Sequence, residues 1–162
     1  MRTQQKSNKH PASSGRIDIL ESGPNMSTIP SQKAPAAPDW SRLVGDSLRQ
    51  NGAWHTYAKL MEARRAYPND LSLRGYVELV RNAIVRDFLA QPRGMQAVPK
   101  LTAEFLTNFD RFNLSAQEGY LVSLIDGRLD LQKLLILSPF DPFTTLFNLA
   151  KLQFERAIMV PQ

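Results

Sequence analysis

The sequence has no cysteine and only two histidines, a shortage that removes most of the chemistry a chain of 162 residues could carry. Without thiols there is no disulfide, no thiolate metal site and no cysteine nucleophile, an absence that fits a reducing cytoplasm. His10 lies in a stretch rich in proline and serine. His55 stands alone between Trp54 and Thr56, where a partly buried helix histidine is expected rather than a catalytic base. The eight glycines include no pair at phosphate-loop or dinucleotide spacing, and neither a Gly-x-Ser-x-Gly elbow nor a His-Glu-x-x-His helix occurs. Asp126 and Asp130 flank Gly127-Arg128, but a helix stop and a helix cap account for both, and no further acidic ligands follow at calcium-loop spacing. No catalytic residue, cofactor or metal ligand is therefore assigned, and the chain reads as a non-enzyme. Long apolar runs are missing as well. The longest unbroken aliphatic stretch, Leu134 to Leu137, falls far short of the roughly 20 residues of a membrane helix. The opening Met-Arg-Thr-Gln-Gln-Lys never reaches the ~7 to 15 apolar residues of a secretory signal. Membrane insertion is not expected, and the expected address is cytoplasmic.

What the chain does have is a dense set of folding signals between Leu114 and Val160. Ser115 and Glu118 form a capping box, in which a hydroxyl and a carboxylate satisfy the free amides at a helix start, and Tyr120, Leu121, Leu124 and Ile125 supply an apolar face. Asp126-Gly127 stops that helix, because glycine tolerates the left-handed conformation a helix end often needs. Asp130 caps a second helix through Leu131 to Leu137, which Ser138-Pro139 closes. Asp141 with Pro142 at the first helical position starts a third. Its apolar residues Phe143, Leu146, Phe147, Ala150, Phe154 and Ala157 recur at 3- to 4-residue spacing until Ile158-Met159-Val160 extends as a terminal strand. On a wheel of 100° per residue, Phe143, Phe147, Ala150, Phe154 and Ala157 share one face, and Leu149 and Leu152 fall toward the far side. Those two leucines either pack on the preceding helices or dock a partner protein or a second copy of the chain, so a homo-oligomer is allowed for.

Three helices of this kind are the outline of a winged-helix unit. The run from Leu114 to Gly127 resembles an "LSxxEGxxLSxIDG" phrase that opens small winged-helix-like modules in bacterial signalling proteins. Such modules sit beside receiver or tetratricopeptide parts, so the resemblance implies an adaptor. Its partner would be a response regulator or another signalling protein.

Residues 37–70 resemble one tetratricopeptide repeat. Ala58, Leu60, Ala63, Ala66 and Tyr67 followed by Pro68-Asn69-Asp70 match the second helix of such a repeat and its proline turn. The first helix, over about 41–50, is short and lacks the Gly-x-x-Tyr element. A helix from Leu71 to about Ala90, with Leu73, Tyr76, Val77, Val80, Ile84 and Phe88 on one face, follows, and the three are expected to pack together because a lone repeat cannot bury its own apolar face. Gln91-Pro92-Arg93-Gly94 ends that helix. In the connector, Met95 to Lys100 is expected to be extended, and Leu101 to Phe112 is expected to hold a short helical turn with Phe105, Leu106 and Phe109 facing a core.

The expected architecture is all-α: a disordered basic tail over 1–38, tetratricopeptide-like helices over 39–92, a packed connector over 93–113 and a winged-helix-like module over 114–162. Inside the tail, Ile17, Ile19 and Leu20 lie between charges in the manner of a short docking motif, although chance clustering also explains them, and a start at Met26 would remove them. Charge divides as +3 over residues 1–38, +4 over 39–100 and −2 over 101–162, which sums to the net +5. A DNA reader needs cations for phosphate contacts. The third helix of the module instead opens Asp141-Pro142-Phe143-Thr144-Thr145, with no basic residue before Lys151, so nucleic acid is not the expected partner. In the middle segment Arg64, Arg65, Arg74, Arg81, Arg86 and Arg93 form either a basic stripe or an ordinary solvated helix face. The expected function is a non-catalytic adaptor binding other proteins in a bacterial signalling complex. The alternative is a transcription regulator using the C-terminal helices.

Overall fold

The computed structural model describes residues 38–161, which belong to one compact unit. Asp39 accepts a hydrogen bond from the Arg42 amide and starts α1, Trp40–Ala66. The helix is not one rod. At Gly52 the backbone takes φ 75° and ψ 177°, a region open almost only to glycine, and the chain turns back on itself. Two contacts prove the reversal. The rings of Trp40 and Tyr67 meet edge to face at 5.5 Å, whereas an uninterrupted helix would hold them ~40 Å apart. Thr56 Oγ1 likewise lies 2.9 Å from Ser47 Oγ. Residues 40–51 and 53–66 are thus the two arms of a helical hairpin joined through Gly52, and the first arm ends within a residue of the expected 50.

Asp70 caps α2, Leu71–Leu89, through the Leu73 amide, and its other oxygen accepts the Trp40 indole N–H at 2.8 Å, which ties the hairpin's start to the third rod. Leu73, Val77, Val80, Ile84 and Phe88 are buried as the 3.6-residue period predicts, and Val85 joins them. A 3-10 turn, Gly94–Gln96, leads to β1, Lys100–Leu101, and then to α3, Ala103–Thr107, and a second 3-10 turn, Phe109–Arg111. The connector is packed, through Ala97, Pro99 and Phe105. Leu106 and Phe109, expected to face the core, are 66% and 55% exposed, because so short a helix buries only one residue per turn and Phe105 takes that place.

The three C-terminal helices lie where their caps put them: α4, Ala116–Leu124, α5, Leu131–Leu137, and α6, Pro142–Phe154. The capping box at Ser115 and Glu118 is complete in both directions. Gly127 stands at φ 74°. Asp126 accepts from the amides of Arg128 and Leu129, Asp130 from Lys133 and Asp141 from Thr144. After α6, Arg156 takes a left-handed φ of 62°, and β2, Ile158–Met159, pairs antiparallel with β1 so that Leu101 faces Ile158. Among the described residues the fold is six α-helices and this one short ladder, and no helix is long and apolar enough to cross a membrane.

Helix α6 departs from the amphipathic reading. Residues Thr145 to Ala150 are all buried, as is Leu152, so the helix is enclosed over nearly two turns by α2, α4, α5 and the second arm of α1. Leu149 and Leu152, the candidate docking residues, have no exposed surface and belong to the interior. They therefore offer nothing to an outside partner in this fold. The face assigned to the core ends instead in Phe154, which is 59% exposed. His55, expected to be partly buried, is exposed. The tail over 1–37 and its candidate residues Ile17, Ile19 and Leu20 lie outside the described residues.

Candidate docking cleft and buried ion pair

Two arrangements stand out where α6 meets its neighbours, one polar and internal, the other apolar and open. The first lies between α4 and α6. Glu118 is 2% exposed, donates no proton to its surroundings when ionised, and accepts from the Ser115 amide at 2.7 Å and from the Lys151 ammonium at 2.6 Å. Lys151 also lies 3.6 Å from Glu155. Beside them the Asn148 amide donates to Gln117 Oε1 at 3.2 Å. Burial alone would raise the Glu118 pKa, but the hydrogen bonds from Lys151 and Ser115 outweigh it and hold the carboxyl below its ordinary value. Burial likewise opposes the charge on Lys151, and the Glu118 carboxylate overcomes it, so the ammonium titrates above its ordinary value. Sequence reading found Glu118 as a cap and stopped there. The signal for the rest was Lys151 set among Leu149, Ala150 and Leu152, where a cation is favoured by a facing carboxylate.

The second arrangement is a cleft of about 310 Å³ between the second arm of α1, the end of α2 and the end of α6. Trp54 lies against Phe154 with ring centroids 4.8 Å apart and planes 17° from parallel. Trp54 and Tyr57 both reach Phe147, at 5.7 and 5.3 Å. Phe88 contributes to the apolar lining, and Asp87 stands in the wall with Arg86 3.3 Å from its carboxylate. Gln91 donates to Gln153 across the opening at 2.8 Å, and each primary amide retains further hydrogen-bonding capacity once that bond is made. A cavity this size with an apolar lining and a few polar groups accommodates one large side chain and its peptide amide. None of the candidate site residues read from sequence lies here. Trp54 and Tyr57 three residues apart, and Phe147 and Phe154 seven apart, were the legible signals, since both spacings place aromatics on one helix face.

Of the six arginines in the middle segment, Arg64, Arg65, Arg74, Arg86 and Arg93 are exposed and Arg81 is half-buried. Arg81 is only 22% exposed, grips Glu78 with distances of 2.9 and 3.0 Å, and lies over the rings of Phe143 and Phe147 at 5.0 and 4.6 Å, where its charge helps join α2 to α6. Arg74 donates to the Pro68 carbonyl. Among the described residues no group of three or more histidine, aspartate or glutamate side chains is placed to hold a metal. Comparison with known proteins finds no family, no characterised relative and no solved structure that matches the chain.

Proposed function

We propose that the chain is a non-catalytic adaptor that binds another protein in a bacterial signalling complex, and that the Trp54–Phe154 cleft receives an apolar or aromatic side chain of that partner. The observation that carries the reading is the cleft itself: an aromatic ring more than half exposed, stacked on tryptophan, beside two glutamines able to bond a peptide amide. Tryptophan and its neighbours in a partly dry pocket are the usual anchors of protein interfaces. The signalling context rests on the resemblance of the Leu114–Gly127 run, which supports an adaptor and a response regulator or similar protein as the partner. The transcription-regulator reading draws less support. A recognition helix must expose its first turns to a groove, yet α6 is buried from Thr145 to Ala150 and its first cation, Lys151, is engaged by Glu118.

The test is a pull-down from the native host with wild type and with Phe154→Lys, each with and without nuclease. The reading expects a partner that survives nuclease and high salt and is lost with Phe154→Lys. Capture that disappears on nuclease treatment, or is indifferent to Phe154→Lys, contradicts it.

A further inference from the structure

The surroundings of the Trp54–Phe154 cleft are not electrically neutral. Asp87 is the carboxylate that lines it, and Arg86 stands 3.3 Å from that carboxylate. Just outside, Glu155 follows Phe154 and lies 3.6 Å from Lys151. Both acids beside the cleft are therefore matched by cations of the same chain. Two arginines are not. Arg93 comes two residues after Gln91 and Arg156 two residues after Phe154, so each α-carbon lies within ~7 Å of that of a residue lining the cleft. Both are exposed, and neither is paired with a carboxylate among the described residues.

The backbone holds these two cations at the mouth. Arg93 belongs to the break that ends α2, where the Gly94 amide donates to the Gln91 carbonyl at 2.8 Å. Arg156 is fixed in the left-handed conformation that closes α6, with its amide donating to the Gln153 carbonyl at 3.0 Å. Gln91 and Gln153 in turn join across the opening at 2.8 Å. The arginines are thus attached to the two residues that bridge the cleft, one on each side of it. Exposed and unpaired, they contribute little to the fold. What they can do is select. A segment whose anchor enters the cleft brings its neighbouring residues to the mouth, where carboxylates are attracted and ammonium groups repelled. The helical half carries the same sign, with +4 over residues 39–100.

We infer that the partner's docking segment is acidic: an aromatic or large aliphatic anchor with aspartate or glutamate close to it on either side. The inference rests on the proposed entry of a partner side chain into this cleft, and it adds the charge of the segment that carries that side chain. Burial of the anchor supplies affinity that salt does not remove. The flanking carboxylates, meeting Arg93 and Arg156 in water, supply discrimination that salt weakens.

Three short peptides, acetylated and amidated, test this by calorimetric titration of the full chain: a central tryptophan flanked on both sides by glutamates, by serines or by lysines. At low salt the glutamate peptide should bind about fivefold more tightly than the serine peptide, the gain of two exposed ion pairs, and the lysine peptide more weakly than either. High salt should erase that ranking and leave the affinity of the serine peptide unchanged. Arg93→Gln combined with Arg156→Gly, checked for wild-type circular dichroism, should bring the glutamate peptide to the affinity of the serine peptide. The inference is overturned, and the cleft reading kept, if the serine peptide binds but all three bind alike, or if the folded arginine variant retains the full glutamate preference. Failure of all three to bind, or equal binding of the serine peptide to Phe154→Ser, contradicts the cleft reading itself and the inference with it.

Discussion

In residues 40–89 three long rods each bury one stripe and leave the rest to water, whereas in residues 116–154 two short helices are stitched by caps around a third that is buried on almost every side. The first design tolerates change. Three of its seven leucines, Leu43, Leu71 and Leu79, are more than half exposed. The second concentrates its stability in α6, where Leu149 and Leu152 have no exposed surface and the one internal charge pair ties α4 to α6. The halves are joined by aromatic contacts and by Arg81 over Phe143 and Phe147, so the tolerant half also covers the intolerant one.

The largest effect expected is in α6. Leu152→Gln should destabilise by roughly 3 to 5 kcal/mol, combining the lost apolar burial with a buried amide lacking a partner, enough to unfold a marginal protein. Leu79→Gln in α2, at 51% exposure, should change stability by less than about 0.5 kcal/mol. Urea unfolding of both variants reads the contrast directly, and similar losses at the two sites would erase it.

The ion pair comes next. Lys151→Met leaves Glu118 charged and buried, and because the lysine itself is nearly a third exposed the cost should be roughly 2 to 3 kcal/mol rather than the full penalty of a dry pair. The sign of the pH response follows from the shifts. The Glu118 pKa is depressed in the folded state, so the unfolded chain binds more protons, and the stabilisation is complete above the ordinary carboxylate pKa of about 4.3 and lost as pH falls through the folded value. The Lys151 pKa is raised, so its share is complete below about 10.4 and lost as pH rises through the folded value. Denaturation midpoints against pH should therefore fall at both extremes in wild type. The acid limb should flatten in Glu118→Gln.

Of the three positive-φ glycines among the described residues, Gly52 and Gly127 separate the halves in another way. Gly52→Ala should cost roughly 1 to 3 kcal/mol from backbone strain alone, because no atom lies within 4 Å of the position an added Cβ would take. Gly127→Val should cost about 1 to 2 kcal/mol from positive φ, since the Lys100 side chain 3.5 Å away lies at ordinary contact distance. Thermal melts of each check this, and a wild-type melt for Gly52→Ala would mean the hairpin turns without strain there.

The smallest effect runs the other way. Arg156 closes α6 in the left-handed conformation, with the Ala157 amide reaching back to the Leu152 carbonyl at 2.9 Å, a role glycine fills more cheaply. Arg156→Gly should stabilise by up to about 1 kcal/mol.

What the sequence made legible divides along the same line. In the C-terminal half every helix start was announced by a side chain that bonds its own neighbourhood, Ser115 with Glu118, Asp130, and Asp141 with Pro142, and Gly127 at φ 74° marked the turn after α4. Local chemistry of that kind survives into the fold because the capping partner is three residues away. The hairpin was legible as two helices, and Asn51-Gly52, a turn-favouring dipeptide, marked the place of its turn. Leu149 and Leu152, by contrast, were misplaced. A helical wheel says which residues share a face, not how many faces are covered, and α6 is covered on nearly all of them. The Trp54–Phe154 cleft needed elements 100 residues apart to meet, which no local pattern encodes. The all-helical class required only the 3.6-residue period and the scarcity of alternating strands.

The central claim is that α6 is the shared core of residues 38–161, so that the helical half and the C-terminal helices open together. Native-state hydrogen exchange across a denaturant series measures this at single amides. The account predicts that the slowest amides of α2, around Val80 and Ile84, and of α6, around Leu149 and Leu152, converge on one opening free energy and one denaturant slope. If α6 kept its protection under conditions in which α2 exchanged freely, the two halves would be independent domains in contact and the account would be wrong.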